Sequence, residues 1–186
     1  FAAWAGIDYK RLRPELKSAG NVEANSTIGS FSAFANLKIT TDPVSLRLMG
    51  TYAQNAGDLM MTGGYAVSRI SGSYEENKVF TNLNTFGCWA DLNTNGNKVT
   101  AGLFTGLSKN LGSGDPIVGA VYARGSNIDH LFRLSPRITV TEGRLSFCGE
   151  IEHTTAAYGT IQSNGRVINT NNVSNLRILM STIYRF

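Results

Sequence analysis

Eight stretches of this chain alternate apolar and polar residues with a period of two, each for eleven to fifteen residues. That pattern is a strand signature, because successive side chains leave a pleated backbone on opposite faces. The stretches are Phe1–Arg13, Ser30–Thr40, Val44–Asn55, Val79–Leu92, Lys98–Leu111, Asp129–Val140, Arg144–Tyr158 and Ser174–Phe186. Soluble sheets use about 5–6 residues per strand, whereas a tilted strand crossing a bilayer takes about 9–11. No helical period competes with the alternation, so the chain reads as all-β and as one domain over residues 1–186.

The connections between the stretches fall into two kinds. Thr41–Pro43, Asn93–Asn97 and Thr141–Gly143 are short and built from turn-forming residues. Pro14–Gly29, Ala56–Lys78, Gly112–Ile128 and Gly159–Val173 are long and polar. Short and long alternate along the chain, which places every tight turn at one end of a sheet and every long loop at the other. An up-and-down antiparallel barrel has that asymmetry, and a sandwich with Greek-key crossovers has no reason for it.

Sorting each stretch by parity gives two faces. One is free of charge: Phe1, Ala3, Ala5, Ile7 and Tyr9 on the first stretch, and sets such as Leu103, Thr105 and Leu107 or Phe132, Leu134 and Ile138 further on. The other mixes Gly, Ser, Thr and Asn with Asp8, Lys10, Lys38, Arg47, Asp91, Lys98, Arg133, Arg137, Arg144, Glu150, Glu152, Arg177 and Arg185, nine basic residues against four acidic. Only 16% of the chain is charged, below the roughly 25% of a typical soluble domain. An apolar face turned to lipid and a polar face turned to a water-filled interior account for both facts.

The last stretch, "SNLRILMSTIYRF", alternates evenly and finishes on Phe186. It resembles the terminal strand of Gram-negative outer-membrane β-barrels, and "LFRLSPRITVTEGRLSFCGEIEHTTAAYG" is similar to the late hairpins of porins of the DcaP-like kind from Bacteroidota. The resemblance implies a transmembrane barrel in the outer membrane, with Tyr184 and Phe186 as the signal read by the barrel-assembly machinery. It implies lipid on the outside and small hydrophilic solutes inside, and it admits a homotrimer. About eight strands would close as a small barrel, or form the C-terminal part of a larger one. Phe1 already lies in a strand, and a narrow closed core would have to pair each of its charges; both favour the larger barrel.

The function expected is therefore a passive channel rather than an enzyme, with Lys10, Lys38, Arg47, Arg133, Arg137, Glu150, Glu152 and Arg177 lining the pore and their basic surplus favouring anions. A closed structural or adhesive barrel is the second reading, and a lipid-modifying barrel enzyme the third. For the last, His153 is the candidate, but "HTT" puts Thr155 where a serine nucleophile is needed and no carboxylate of the same parity orients the ring. His130, beside Asp129, reads as solvated. Cys88 and Cys148 fall on non-adjacent strands and opposite faces and read as free thiols. Loop glycines without a strand–helix context make no phosphate cradle, and Asp58 and Asp115 are too sparse for calcium. No cofactor, metal or nucleic acid is expected, since no basic block tracks phosphates. Glu75 and Glu76 read as a solvated loop tip.

One hairpin gives a register. A turn with Glu142 and Gly143 at its tip sets Arg137 opposite Cys148, Ser135 opposite Glu150 and Arg133 opposite Glu152. Pro136, which lacks an N–H, is expected to mark a bulge.

Overall fold

A computed structural model describes residues 1–18, 20–72 and 77–186; Glu75 and Glu76 lie outside them. Among the described residues ten strands follow in order: β1 (Ala2–Leu12), β2 (Ile28–Thr40), β3 (Val44–Gln54), β4 (Gly63–Ser71), β5 (Asn77–Thr94), β6 (Val99–Ser113), β7 (Val121–Arg124), β8 (Ile128–Glu142), β9 (Leu145–Ile161) and β10 (Val167–Tyr184), with a short 3-10 turn at Ala56–Leu59. All pairings between the strands are antiparallel. Eight strands form a continuous wall in the order β1-β2-β3-β5-β6-β8-β9-β10, while β4 pairs with β5 and β7. Among the described residues no helix is long and apolar enough to cross a membrane.

The eight wall strands are the eight alternating stretches, with ends moved by a few residues. Two loops hold the extra strands. β5 is long enough to serve two partners: Asn84–Thr94 pairs with β3, and Asn77–Leu83 pairs with β4 beyond the end of β3. Where β3 stops, Ser30 Oγ donates to Asn82 Oδ1 at 2.7 Å and Asn82 Nδ2 to the Gly29 carbonyl at 2.8 Å, closing the gap between β2 and β5. The expected loop at Gly159–Val173 is mostly strand. β9 and β10 continue to Ile161 and Val167, leaving a tight turn closed by the Gln162 N–H on the Arg166 carbonyl at 2.8 Å. β10 bulges between Ile168 and Asn171, where Asn169 adopts a left-handed φ of 53° that asparagine tolerates better than most residues.

Closure into a barrel, the expectation from sequence, is not what the sheet does. Among the described residues β1 pairs only with β2 and β10 only with β9, so the wall has two open edges. An eight-stranded barrel has an interior just wide enough for side chains. Here the polar face carries Phe34, Met49, Trp89, Phe104 and several arginines, together with a folded loop described below, all of which an interior that narrow would have to pack.

The two faces are sorted as the parity predicts, and the pairing registers join each into one surface. Leu37 stands opposite Leu48, Leu46 opposite Leu92, Leu107 opposite Phe132, Val140 opposite Phe147, and Ile178 opposite Ile151. Most large members of this apolar face are exposed, from 36% at Leu48 to complete exposure at Phe1 and Phe186. The small polar residues opposite are the covered ones: Ser32, Thr51, Ser135 and Ser146 are all buried. Cys88 and Cys148 are free, on the apolar and polar faces respectively. The dry core lies elsewhere, at the loop end, where Ile28, Val67 and Phe80 cluster with Leu12 and Tyr65. Tyr65 meets Phe80 edge-on with ring centroids 5.7 Å apart.

Pro136 does not bulge the wall. The β8–β9 ladder skips Ser135 and Pro136 and resumes at Arg137↔Glu150 in the same register it held at Leu134↔His153. The bulges in β6, β8 and β10 lie instead towards the loop end, between Asn84 and Thr85 against β6 and between Ile128 and His130 in β8 as well as in β10.

The loop-end core joins the ends of β1, β2 and β5 to β4, and β6 stands between β5 and β8, so Phe80→Ala should loosen the loop end and spare the far wall strands. The expected loss is about 3 kcal/mol, read as roughly hundredfold faster hydrogen exchange in β4 and β7 with β8 and β9 amides unchanged.

Candidate functional site

The polar face is a set of rows, because each strand's register carries one row on to the next. One row runs Lys38–Arg47–Asp91–Phe104–Ser135 across β2, β3, β5, β6 and β8. On the far side Arg177 of β10 stands opposite Glu152 of β9. The next row towards the tight turns runs Asn93–Gly102–Arg137–Glu150. The next row towards the loops runs Asn36–Met49–Trp89–Gly106–Arg133–Thr154. Seven of the eight residues expected to line a pore therefore fall within three adjacent rows, and Lys10 stands nearer the loop end on β1.

Their partners differ from expectation, because the β8–β9 turn is tipped by Gly143 and Arg144, with Gly143 at φ 58°. Glu142 faces Leu145 and Arg137 faces Glu150, a slip of two residues from the expected register that leaves every side chain on its expected face. Arg133 now faces Thr154 and donates to its Oγ1 at 3.2 Å. It still reaches Glu152, diagonally, at 3.3 Å. The expected Arg137–Glu150 pair does not form, although the two are directly opposed. Arg137 Nη2 instead binds Asp91 Oδ1 at 2.5 Å and Asn93 Oδ1 at 2.7 Å, crossing β6 to do so. Lys98 and Arg144 lie in turns rather than on the wall, and Lys98 pairs with Glu142 at 3.3 Å.

A segment after β3 folds over the loop end of this face. Lys10 Nζ donates to the Asn55 carbonyl at 2.6 Å and to Asp58 Oδ1 within the 3-10 turn. Met61 lies over Gly87 on β5, Thr62 Oγ1 meets Ser108 Oγ on β6 at 3.2 Å, and Arg124 donates to the Met60 carbonyl. The segment thus spans from β1 to β6. Beneath it is a cleft of about 470 Å³ whose lining includes Met49, Leu59, Met61, Trp89, Phe104 and Arg133. Trp89 and Phe104 sit 6.0 Å apart, and the Trp89 indole N–H points to Met49 Sδ at 3.1 Å. Composition alone does not mark these large residues as polar-face members, yet the parity rule that selects Arg47 and Asp91 also selects Met49 and Trp89.

The two histidines have different surroundings. His153 stands on the apolar face between Leu134 and Leu176, with no hydrogen-bond partner among the described residues. His130 is not simply solvated: its Nδ1 is 2.8 Å from Asp129 Oδ2, which also takes Lys109 Nζ at 2.6 Å. The β8 bulge is what brings Asp129 round to these neighbours. Among the described residues no group of three or more His, Cys, Asp or Glu side chains could hold a metal ion. Tyr184 and Phe186, at the end of β10, are exposed on the apolar parity with their rings edge-on at 5.3 Å.

No family model matches the chain, and comparison with the curated proteins and with the solved structures finds no match either.

The hydrogen bond from the Lys10 ammonium holds the Asp58 carboxyl below its usual range, against a smaller opposing effect of partial burial. A depressed folded-state value means the anchor is complete above the ordinary carboxylate range and is lost as pH falls through the depressed value. Acidification should therefore release the segment and increase acrylamide quenching of Trp89 in a Trp4→Phe background. Asp58→Asn should show the released level already at neutral pH, with most of the pH dependence gone.

Proposed function

We propose that this chain is wall from an outer-membrane channel of the porin type, passing small hydrophilic solutes with a preference for anions, and that it is not an enzyme. The observation that carries the reading is the inverted sheet: an apolar face exposed across eight consecutive wall strands, backed by a face of small polar residues and charges. Contiguous exposed apolar surface on this scale marks a partner or a membrane, and strands of 11–18 residues are long enough to cross one at a tilt. The resemblance of the final strand to barrel-assembly signals agrees with this setting.

The open edges fit the same reading. In lipid each unpaired backbone group costs several kcal/mol, so β1 and β10 must find strand partners there. The proposed channel is accordingly wider than eight strands, with these edges joined to further strands. The segment anchored by Lys10 and Asp58 narrows the passage at the loop end. Within the three rows Lys38, Arg47, Arg133, Arg137 and Arg177 outnumber Asp91, Glu150 and Glu152, which supports the anion preference.

Reconstitution in a planar bilayer under a potassium chloride gradient should give conductance with a reversal potential towards that of chloride. A cation-selective reversal potential would remove the preference, and the lack of any conductance would favour the structural-scaffold reading.

A further inference from the structure

Lys38 and Arg47 stand directly opposite each other on β2 and β3. Like charges in that relation repel, and neither side chain has a hydrogen-bond or ion-pair partner among the described residues. The register does supply a carboxylate, since Asp91 of β5 is directly opposite Arg47 on its other flank. Asp91 is committed elsewhere. Its Oδ1 accepts from Arg137 at 2.5 Å and its Oδ2 from Asn93 at 3.0 Å.

Arg137 belongs to β8, so β6 lies between it and Asp91. The residue directly opposite Arg137 on β6 is Gly102. A Cβ there would sit 2.5 Å from Asn93 Oδ1, 2.8 Å from Arg137 Nε and 3.0 Å from Arg137 Cζ. The guanidinium therefore passes through the space that any other residue would fill. The crossing takes Arg137 away from its own opposed carboxylate, Glu150, and takes Asp91 away from Arg47.

We propose that Lys38 and Arg47 form an anion-binding step of the channel, for small anions such as chloride or a carboxylate, and that Gly102 creates it by letting Arg137 occupy Asp91. This rests on the channel reading above. It goes further in making selectivity depend on which side chain holds Asp91, and not only on the basic surplus of the face.

The test is a substitution that alters no charge. Gly102→Val blocks the crossing against flexible side-chain ends rather than backbone, and valine suits a strand, so the wall keeps its fold. The full-length protein and its variants are compared by reversal potential in planar bilayers under a potassium chloride gradient. Gly102→Val should lower the anion-to-cation permeability ratio about threefold, the factor expected for a local potential on the order of kT. Adding Asp91→Asn to Gly102→Val should restore the ratio. Should Gly102→Val not fold, Arg137→Gln also frees Asp91, and its lowered ratio should likewise be rescued by Asp91→Asn. An unchanged ratio in a folded, conducting Gly102→Val protein would overturn the subsite while leaving the channel reading in place. A wild-type protein that does not conduct would overturn both.

Discussion

The rest of the structure depends on the exposure of an apolar sheet face to its surroundings. About twenty large side chains of that face are exposed, most of them by a third to two thirds, and each forgoes on the order of 1 kcal/mol while that part remains in water. The sum is tens of kcal/mol, more than the ~5–15 kcal/mol by which folded domains exceed their unfolded states. The opposite face offers little compensating core, since along the wall its buried positions are mostly small, such as Ser32, Thr51, Ala53, Thr85, Ser135 and Ser146. A wall built this way is stable where something apolar covers it, and under the proposed function that cover is lipid.

Once that face is committed, the other consequences follow. Long strands are needed to carry an apolar band, and tight turns suffice at the end where nothing else is asked of the chain. The opposite end carries the long loops, and there, among the described residues, a hydrophobic core forms from Leu12, Ile28, Tyr65, Val67 and Phe80. That core fixes the loops, including the segment that Lys10 and Asp58 tie across the polar face. The charged rows lie below it, sheltered from the apolar side by the sheet itself.

How much of this was legible in the sequence depends on what parity can fix. A pleat assigns each residue to a face, so the two faces and the eight wall strands could be read directly. Parity cannot distinguish registers that differ by two residues, and the β8–β9 hairpin slipped by that amount when Gly143 took the first place of the turn tip. Arg133 kept Glu152 through the slip because an arginine spans a diagonal. Arg137 faces Glu150 yet binds Asp91, a choice set by the space above Gly102 on the strand between the two partners. β4 and β7 were hidden in long connections, although "GGYAVSRIS" carries the aromatic and β-branched residues of a strand. The Asn-rich start of β10 has the composition of a loop, since asparagine is poor in strands; pairing with β9 overrides that preference.

The central claim, that one face of the wall meets lipid and the other water, is tested most directly by spin labels placed singly at residues 131–140 of β8, with the two native cysteines replaced. In membranes the account predicts collision with dissolved oxygen peaking at positions 132, 134, 138 and 140. Collision with a water-soluble nickel chelate should peak at 133, 135, 137 and 139, giving a period of two with the two curves out of phase. Equal access of the chelate to both sets, or the opposite phase, would contradict it.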